Sequence, residues 1–286
     1  MSKSNMLLGL AKGKVGDLVF YRDGGEQRTR TRVIPKNPRT RAQMQQRAKI
    51  ANISALYRAL AAIVADSFSN RPSNQSGYNA FASGAIALAP YLTKQQAAAA
   101  VVLPQPALLS RGVLPSLEYV GAAGDADGAT SLALAGEFTG SSTIAQVSAA
   151  LIAQYPSIQQ GDEITFLSVK FEVVDGADAD VDVYAAVPSI VSFKVDTASD
   201  TTLSAAGIAP STGSITSAAM APAWEDGIAM QAIILSRVDG NGQLQTSTQW
   251  ARLSENAQTL YDGYRTATAI ADAVESYKAG GEISLR

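Results

Sequence analysis

The 286-residue chain contains no cysteine and no histidine. Without cysteine there is no disulfide framework and no thiolate metal site, and the redox compartment leaves no trace in the sequence. Without histidine the usual zinc ligand, the usual general base and every Ser-His-Asp arrangement are removed together. No run approaches the roughly 20 apolar residues that span a bilayer. Met1–Lys12 holds too short an apolar stretch for a signal peptide, and no small-residue cleavage site follows it. These absences predict a soluble chain made in the cytoplasm, with no membrane partner. Phosphate-cradling loops are missing too: neither GxxxxGK[ST] nor GxGxxG occurs, and Gly9–Gly13 is glycine-rich in composition only. No serine sits in GxSxG and no carboxylate pair stands out. The expectation is a non-enzymatic protein without a cofactor.

What the chain does have is a charge split by position. Residues 1–71 carry 14 Lys/Arg against 4 Asp/Glu, whereas residues 72–286 carry 9 against 21. The overall net charge of −2 therefore conceals a head of +10 on a body of −12. Such asymmetry points to an anionic partner for the basic end, nucleic acid being the commonest, or to attraction between head and body of neighbouring copies. Apolar content of 47% over this length supports real cores, although much of it is alanine.

Within the head, residues 14–34 read as a β-hairpin. Val15, Leu18, Val19, Phe20 and Tyr21 make a first strand, Asp23-Gly24-Gly25 the turn, and Gln27–Ile34 a second strand stopped by Pro35. On the second strand Arg28, Arg30 and Arg32 alternate with Thr29, Thr31 and Val33. Alternate residues share a face, so the arginines form a row spaced by about 6.7 Å, close to the phosphate spacing of an extended single strand. Burying three guanidiniums without partners is prohibitive, which makes the row a solvent face. Phe20 and Tyr21 point to opposite sides, so at most one joins the arginines as a stacking surface.

Lys36 and Arg39 lie in the connector that follows. Thr40 with Gln43 predicts a capping box opening a long helix, whose apolar stripe starts at Met44 and Ala48 and broadens through Ile53, Leu56, Leu60 and Val64. Arg39, Arg41 and Arg47 sit at its N-terminal end, against the helix dipole, and a phosphate or partner carboxylate there would relieve the conflict. The candidate residues for an anionic partner are Arg28, Arg30, Arg32, Lys36, Arg39, Arg41 and Arg47.

Prolines 72, 90, 104, 106 and 115 punctuate a connector with short helices around Tyr78–Leu88 and Thr93–Ala100. Strands are expected over Thr130–Gly136, Glu163–Val174, Val181–Val187, Ile228–Val238 and Leu244–Ala251. Asp239-Gly240-Asn241-Gly242 should join the last two. One helix should start at Ser142 or Thr143, and another should run over Thr259–Ala279. Asp175, Asp178, Asp180 and Asp182 form an acidic cluster without EF-hand spacing, read as a solvated loop rather than a metal site. The sum is an α+β chain in three segments. Residues 1–71 form a basic hairpin-helix module, 72–120 a connector, and 121–286 an acidic, β-rich, sandwich-like body with a C-terminal helix.

Several segments resemble proteins of gut-associated bacteriophages and related bacterial genomes. They are Gly13-Lys-Val-Gly-Asp-Leu-Val-Phe-Tyr21, Arg28-Thr-Arg30, and Asn37-Pro-Arg-Thr40 with Gln43, Gln46 and Arg47. Further along are Arg71-Pro-Ser, Tyr78-Asn-Ala-Phe81, Leu92-Thr-Lys94, Gly161-Asp-Glu-Ile-Thr-Phe166, Ser236-Arg237 and Thr246-Ser-Thr-Gln249. That group has no established activity, so no catalytic residue carries over. The resemblance implies a phage-encoded protein of the kind found among virion components. The reading is a virion structural or assembly protein that self-associates, meets other virion subunits, and engages packaged nucleic acid or an acidic neighbouring face through its basic head. The alternative is a free, sequence-nonspecific nucleic-acid-binding protein inside the cell. A third reading, an enzyme or adhesin with Ca²⁺ in its acidic loops, ranks below both.

Overall fold

The computed structural model describes residues 3–5, 10–23, 26–33, 39–117, 119–120, 130–174, 182–211, 213–220 and 227–278. The chain opens with four antiparallel strands in sequence order across one sheet: β1 (Lys3–Asn5), β2 (Leu10–Val15), β3 (Leu18–Asp23) and β4 (Glu26–Thr31). The first strand expected from Val15 to Tyr21 is thus two. Gly16 takes a left-handed φ of 58° and reverses the chain with Asp17, a conformation that glycine accepts without strain. The Arg32 amide donates to the Asp17 carbonyl at 2.6 Å. β4 ends at Thr31 rather than Ile34, so Arg32 and Val33 follow the strand. Gly24 and Gly25 of the expected turn, Ile34 and Lys36 lie outside the described residues.

Helix α1 (Arg41–Val64) begins at the capping box read from sequence: the Gln43 amide donates to Thr40 Oγ1 at 3.4 Å and the Thr40 amide to Gln43 Oε1 at 3.2 Å. It buries Met44, Ala48, Ile53, Leu56, Leu60 and Val64 on one stripe, together with a polar residue, Asn52. The Asn52 side chain accepts from the Leu103 amide at 2.8 Å and donates to the Leu103 carbonyl at 3.2 Å and Gln105 Oε1 at 3.0 Å. These bonds hold an irregular segment of backbone against the helix and satisfy polar groups that would otherwise be buried alone. Next come α2 (Gly77–Ala85), α3 (Lys94–Ala98) with its own Thr93–Gln96 capping box, and β5 (Leu108–Ser110).

The body follows as β6 (Tyr119–Val120), β7 (Ser131–Ala133), α4 (Ile144–Gln154), β8 (Glu163–Val174), β9 (Val183–Lys194), β10 (Ile208–Ser211) and β11 (Ser214–Ser217). It continues with β12 (Ala229–Val238), β13 (Leu244–Thr246), β14 (Gln249–Trp250), β15 (Arg252–Leu253), α5 (Glu255–Gly263) and α6 (Ala267–Lys278). A central antiparallel sheet of order β13-β12-β8-β9, with β15 also on β12, has two apolar faces. Leu167, Val169, Phe171, Met230 and Ile234 face a core built with α1, α2 and residues 101–109. Ile164, Phe166, Phe193, Ile233 and Leu235 face a second core built with α4 and the small sheet β10-β11-β7-β6. The fold is α+β, sandwich-like on one side of the central sheet and helix-backed on the other. The first core joins residues of α1, of 72–120 and of the body, so it crosses both expected segment boundaries. Among the described residues, none of β1–β4 enters either core.

Further elements differ from expectation: Leu244–Ala251 is two strands, β13 on β12 and β14 on β5, and β9 and the C-terminal helix also depart from it. β9 continues to Lys194 instead of stopping at Val187. It is an edge strand, and the Tyr184 carbonyl accepts from the Val102 amide, so Tyr184 and its alternate neighbours point away from β8. Pro188 falls on that outward register, where a missing N–H breaks no ladder bond. The expected helix Thr259–Ala279 is two helices. Ser254 caps α5, and the chain breaks at Gly263 because Tyr264 turns inward to accept from Gln96 Nε2 at 3.1 Å. It restarts with Thr266 accepting from the Ala269 amide.

Candidate anionic-partner interface

The register of the N-terminal sheet decides which cations share a face. Tyr21 pairs with Arg28, Val19 with Arg30, and Lys14 with Val19. Directly opposed residues point the same way, so Lys14, Val19, Tyr21, Arg28 and Arg30 occupy one face. The other carries Val15, Leu18, Phe20, Thr29 and Thr31. Arg28, Arg30 and Arg32 are all exposed, as is Lys14. The Arg30 guanidinium lies 5.8 Å from the Tyr21 ring centroid, within cation–π reach. Arg28 meets Glu26 at 3.5 Å, an ion pair open to water on both sides and worth little. Of the two aromatics read from sequence, Tyr21 is the one beside the arginines, and it stays 38% exposed. Lys14 was not singled out from sequence. Its place on this face depends on the two-residue turn at Gly16 and Asp17, which the run of β-formers conceals.

The helix-end arginines have a different setting. Arg39, at a left-handed φ of 49°, donates from Nη1 to the Lys278 carbonyl at 3.2 Å. A cation on the last carbonyls of α6 is favourable there, so the fold itself supplies the negative end that the sequence reading sought from a ligand. Arg47 lies near Tyr277: burial pushes that hydroxyl up, and the Arg47 charge pulls it partly back. Arg41 is the first residue of α1 and is exposed. Lys36 lies outside the described residues. The structure thus gathers Arg28 and Arg30 with Lys14 on the sheet, and engages Arg39 and Arg47 with the C-terminal helix.

Elsewhere the polar groups serve the fold. Arg237 grips the buried Asp162 carboxylate through Nε at 2.6 Å and Nη2 at 2.8 Å, and also donates to the Ser157 carbonyl, tying the loop before β8 to β12. Asp239 Oδ1 accepts from the Asn241 and Gln243 amides, which hold its carboxyl below the usual range and form the β12–β13 turn. Asp175, Asp178 and Asp180 lie outside the described residues, and Asp182 is exposed. Among the described residues no group of three or more carboxylates could hold a metal ion. An open cleft of about 500 Å³ is lined by Asp66, Ser69, Arg71 and Gln243, but Arg71 donates to the Ala65 and Phe68 carbonyls and Ser69 bonds Thr246. No helix among the described residues is long and apolar enough to cross a membrane. No family model, curated protein or solved structure matches the chain.

Proposed function

We propose that this chain is a non-enzymatic structural or assembly protein of a phage particle, and that the cationic face of its N-terminal sheet engages an anionic partner. That partner is packaged nucleic acid or an acidic face of a neighbouring subunit. One observation carries the reading: Lys14, Arg28 and Arg30 stand exposed around Tyr21 and Val19, on a sheet whose described residues enter neither core. A sheet of four short strands that leaves Val15, Leu18 and Tyr21 exposed is poorly stabilised alone and gains from a partner. Lys14, Arg28 and Arg30 outnumber Asp23 and Glu26 on that face, which favours an anionic partner. The phage setting rests on the sequence resemblance.

Tyr21 beside Arg30 favours a second reading, a free nucleic-acid-binding protein in which a base stacks between cations that track the phosphates. Light scattering on the purified chain, with and without a short single-stranded oligonucleotide and at low and high salt, tests both. Assemblies or complexes that form at low salt and dissolve at high salt support an anionic partner. A monomer that ignores salt and oligonucleotide alike overturns both readings.

A further inference from the structure

The basic face combines cations with an aromatic and an apolar centre: Val19 and Tyr21 sit between Lys14, Arg28 and Arg30. Binding phosphates needs only the charges, whereas Tyr and Arg together are what protein interfaces concentrate at their energetic centres. The complementary charge lies in the same sequence, with +10 over residues 1–71 against −12 over residues 72–286. Exposed carboxylates such as Glu137, Asp182, Asp200, Glu255, Asp262 and Asp272 spread over the body. Among the described residues the sheet adds nothing to the cores of its own chain, and Lys14, Tyr21, Arg28 and Arg30 stay exposed to another copy.

We propose that the partner of this face is a second copy of the chain: the N-terminal sheet of one copy docks through Lys14, Val19, Tyr21, Arg28 and Arg30 on the acidic body of the next. This inference rests on the reading of the sheet as an element that seeks an anionic partner, and it names that partner. A contact between two different patches is heterologous, so it leaves each copy with one head and one body still to be satisfied. It therefore propagates into rings or filaments instead of stopping at a dimer. Opposite charge steers the encounter and excludes head-to-head pairing through the basic faces.

Sedimentation velocity on the nucleic-acid-free full chain tests it, with the Lys14→Glu/Arg28→Glu/Arg30→Glu variant as the comparison. At about 0.01 M salt, where charges act over roughly 30 Å, the wild type should form assemblies that revert to single chains at about 1 M. Their mass should be at least about twice that of one chain. The variant should stay single alone. Labelled and mixed with wild type, it should enter the assemblies and shorten them, because its body still accepts a head while its own head cannot dock. The salt series on the wild type carries the test without any substitution, should the variant disturb the sheet. Assemblies that survive both salt and charge reversal would mean association through the Val15, Leu18 and Phe20 face and would overturn the proposal. A single chain that binds a short single-stranded oligonucleotide would overturn it while leaving the anionic-partner reading in force. A single chain that binds nothing would overturn both.

Discussion

Replacing Asn52 with alanine tests whether the segment before β5 is held on α1 by one side chain. Asn52 is fully buried and makes three hydrogen bonds, to the amide and carbonyl of Leu103 and to Gln105 Oε1. Alanine removes all three and strands the buried Leu103 amide, where one orphaned group alone costs about 1–3 kcal/mol. Adding the other lost bonds and a small cavity gives a loss of about 3 kcal/mol. At about 2–4 °C per kcal/mol for a domain of this size, that is a fall of about 6–12 °C in Tm. Urea titration should show a lower midpoint with an unchanged slope, since the surface exposed on unfolding stays the same. Asn52→Asp restores the shape but presents a charge to the Leu103 carbonyl and Gln105 Oε1, so it should be worse than alanine. A loss below about 1 kcal/mol for Asn52→Ala would refute the reasoning, because it would leave the segment held without these bonds.

Three further outcomes follow from the packing. Gly112→Ala would bring a Cβ to 2.0 Å from the Thr246 carbonyl oxygen, and the clash should lower stability by about 1–3 kcal/mol in thermal or urea melts. Asp162→Ala removes the acceptor of a part-exposed Arg237 and should cost about 1.5–3 kcal/mol; unchanged melting would mean that the pair does not hold the loop to β12. Burial raises the hydroxyls of Tyr184, Tyr261, Tyr264 and Tyr277 above their ordinary value. Their contribution to stability is therefore whole below about pH 10, where unfolded tyrosine titrates, and is lost as pH rises through the folded values. Melts at pH 9 and above pH 10 should differ in that direction, and a chain equally stable at both would contradict the burial of these rings.

Local chemistry made much of this fold legible. The Thr-x-x-Gln pattern marks the starts of α1 and α3 because the reciprocal bonds involve only neighbours in sequence, and β8 keeps its expected limits because β-forming apolar residues recur along it from Ile164 to Val174. Long-range context hid the rest. Pro188 looks like a strand end until β9 is known to be an edge. The break at Gly263 depends on Tyr264 meeting Gln96, nearly 170 positions away. β10 and β11 are short and rich in Ser, Thr and Ala, with little periodic signal to read. The candidate interface was half legible. Alternation exposed the arginine row, but only strand register could add Lys14 and choose Tyr21 over Phe20. Arg39 looked like part of the same surface because its acceptor, the Lys278 carbonyl, lies 239 residues further on.

On the proposed function Arg28, Arg30 and Arg32 act outside the fold, and one paired measurement on Arg28→Ala/Arg30→Ala/Arg32→Ala tests this most directly. The chain carries a net charge of −2, so a uniformly charged protein of this composition would not be held by a negatively charged resin at pH 7. The wild type should bind such a resin at low salt and elute as salt rises, whereas the variant, whose residues 1–71 fall from +10 to +7, should elute at distinctly lower salt. Each substitution is at an exposed site worth within about 0.5 kcal/mol, so the variant should melt within about 5 °C of the wild type. A variant that elutes with the wild type, or one that unfolds, would contradict this role: the first by moving the anion-seeking charge elsewhere, the second by making the row part of the fold.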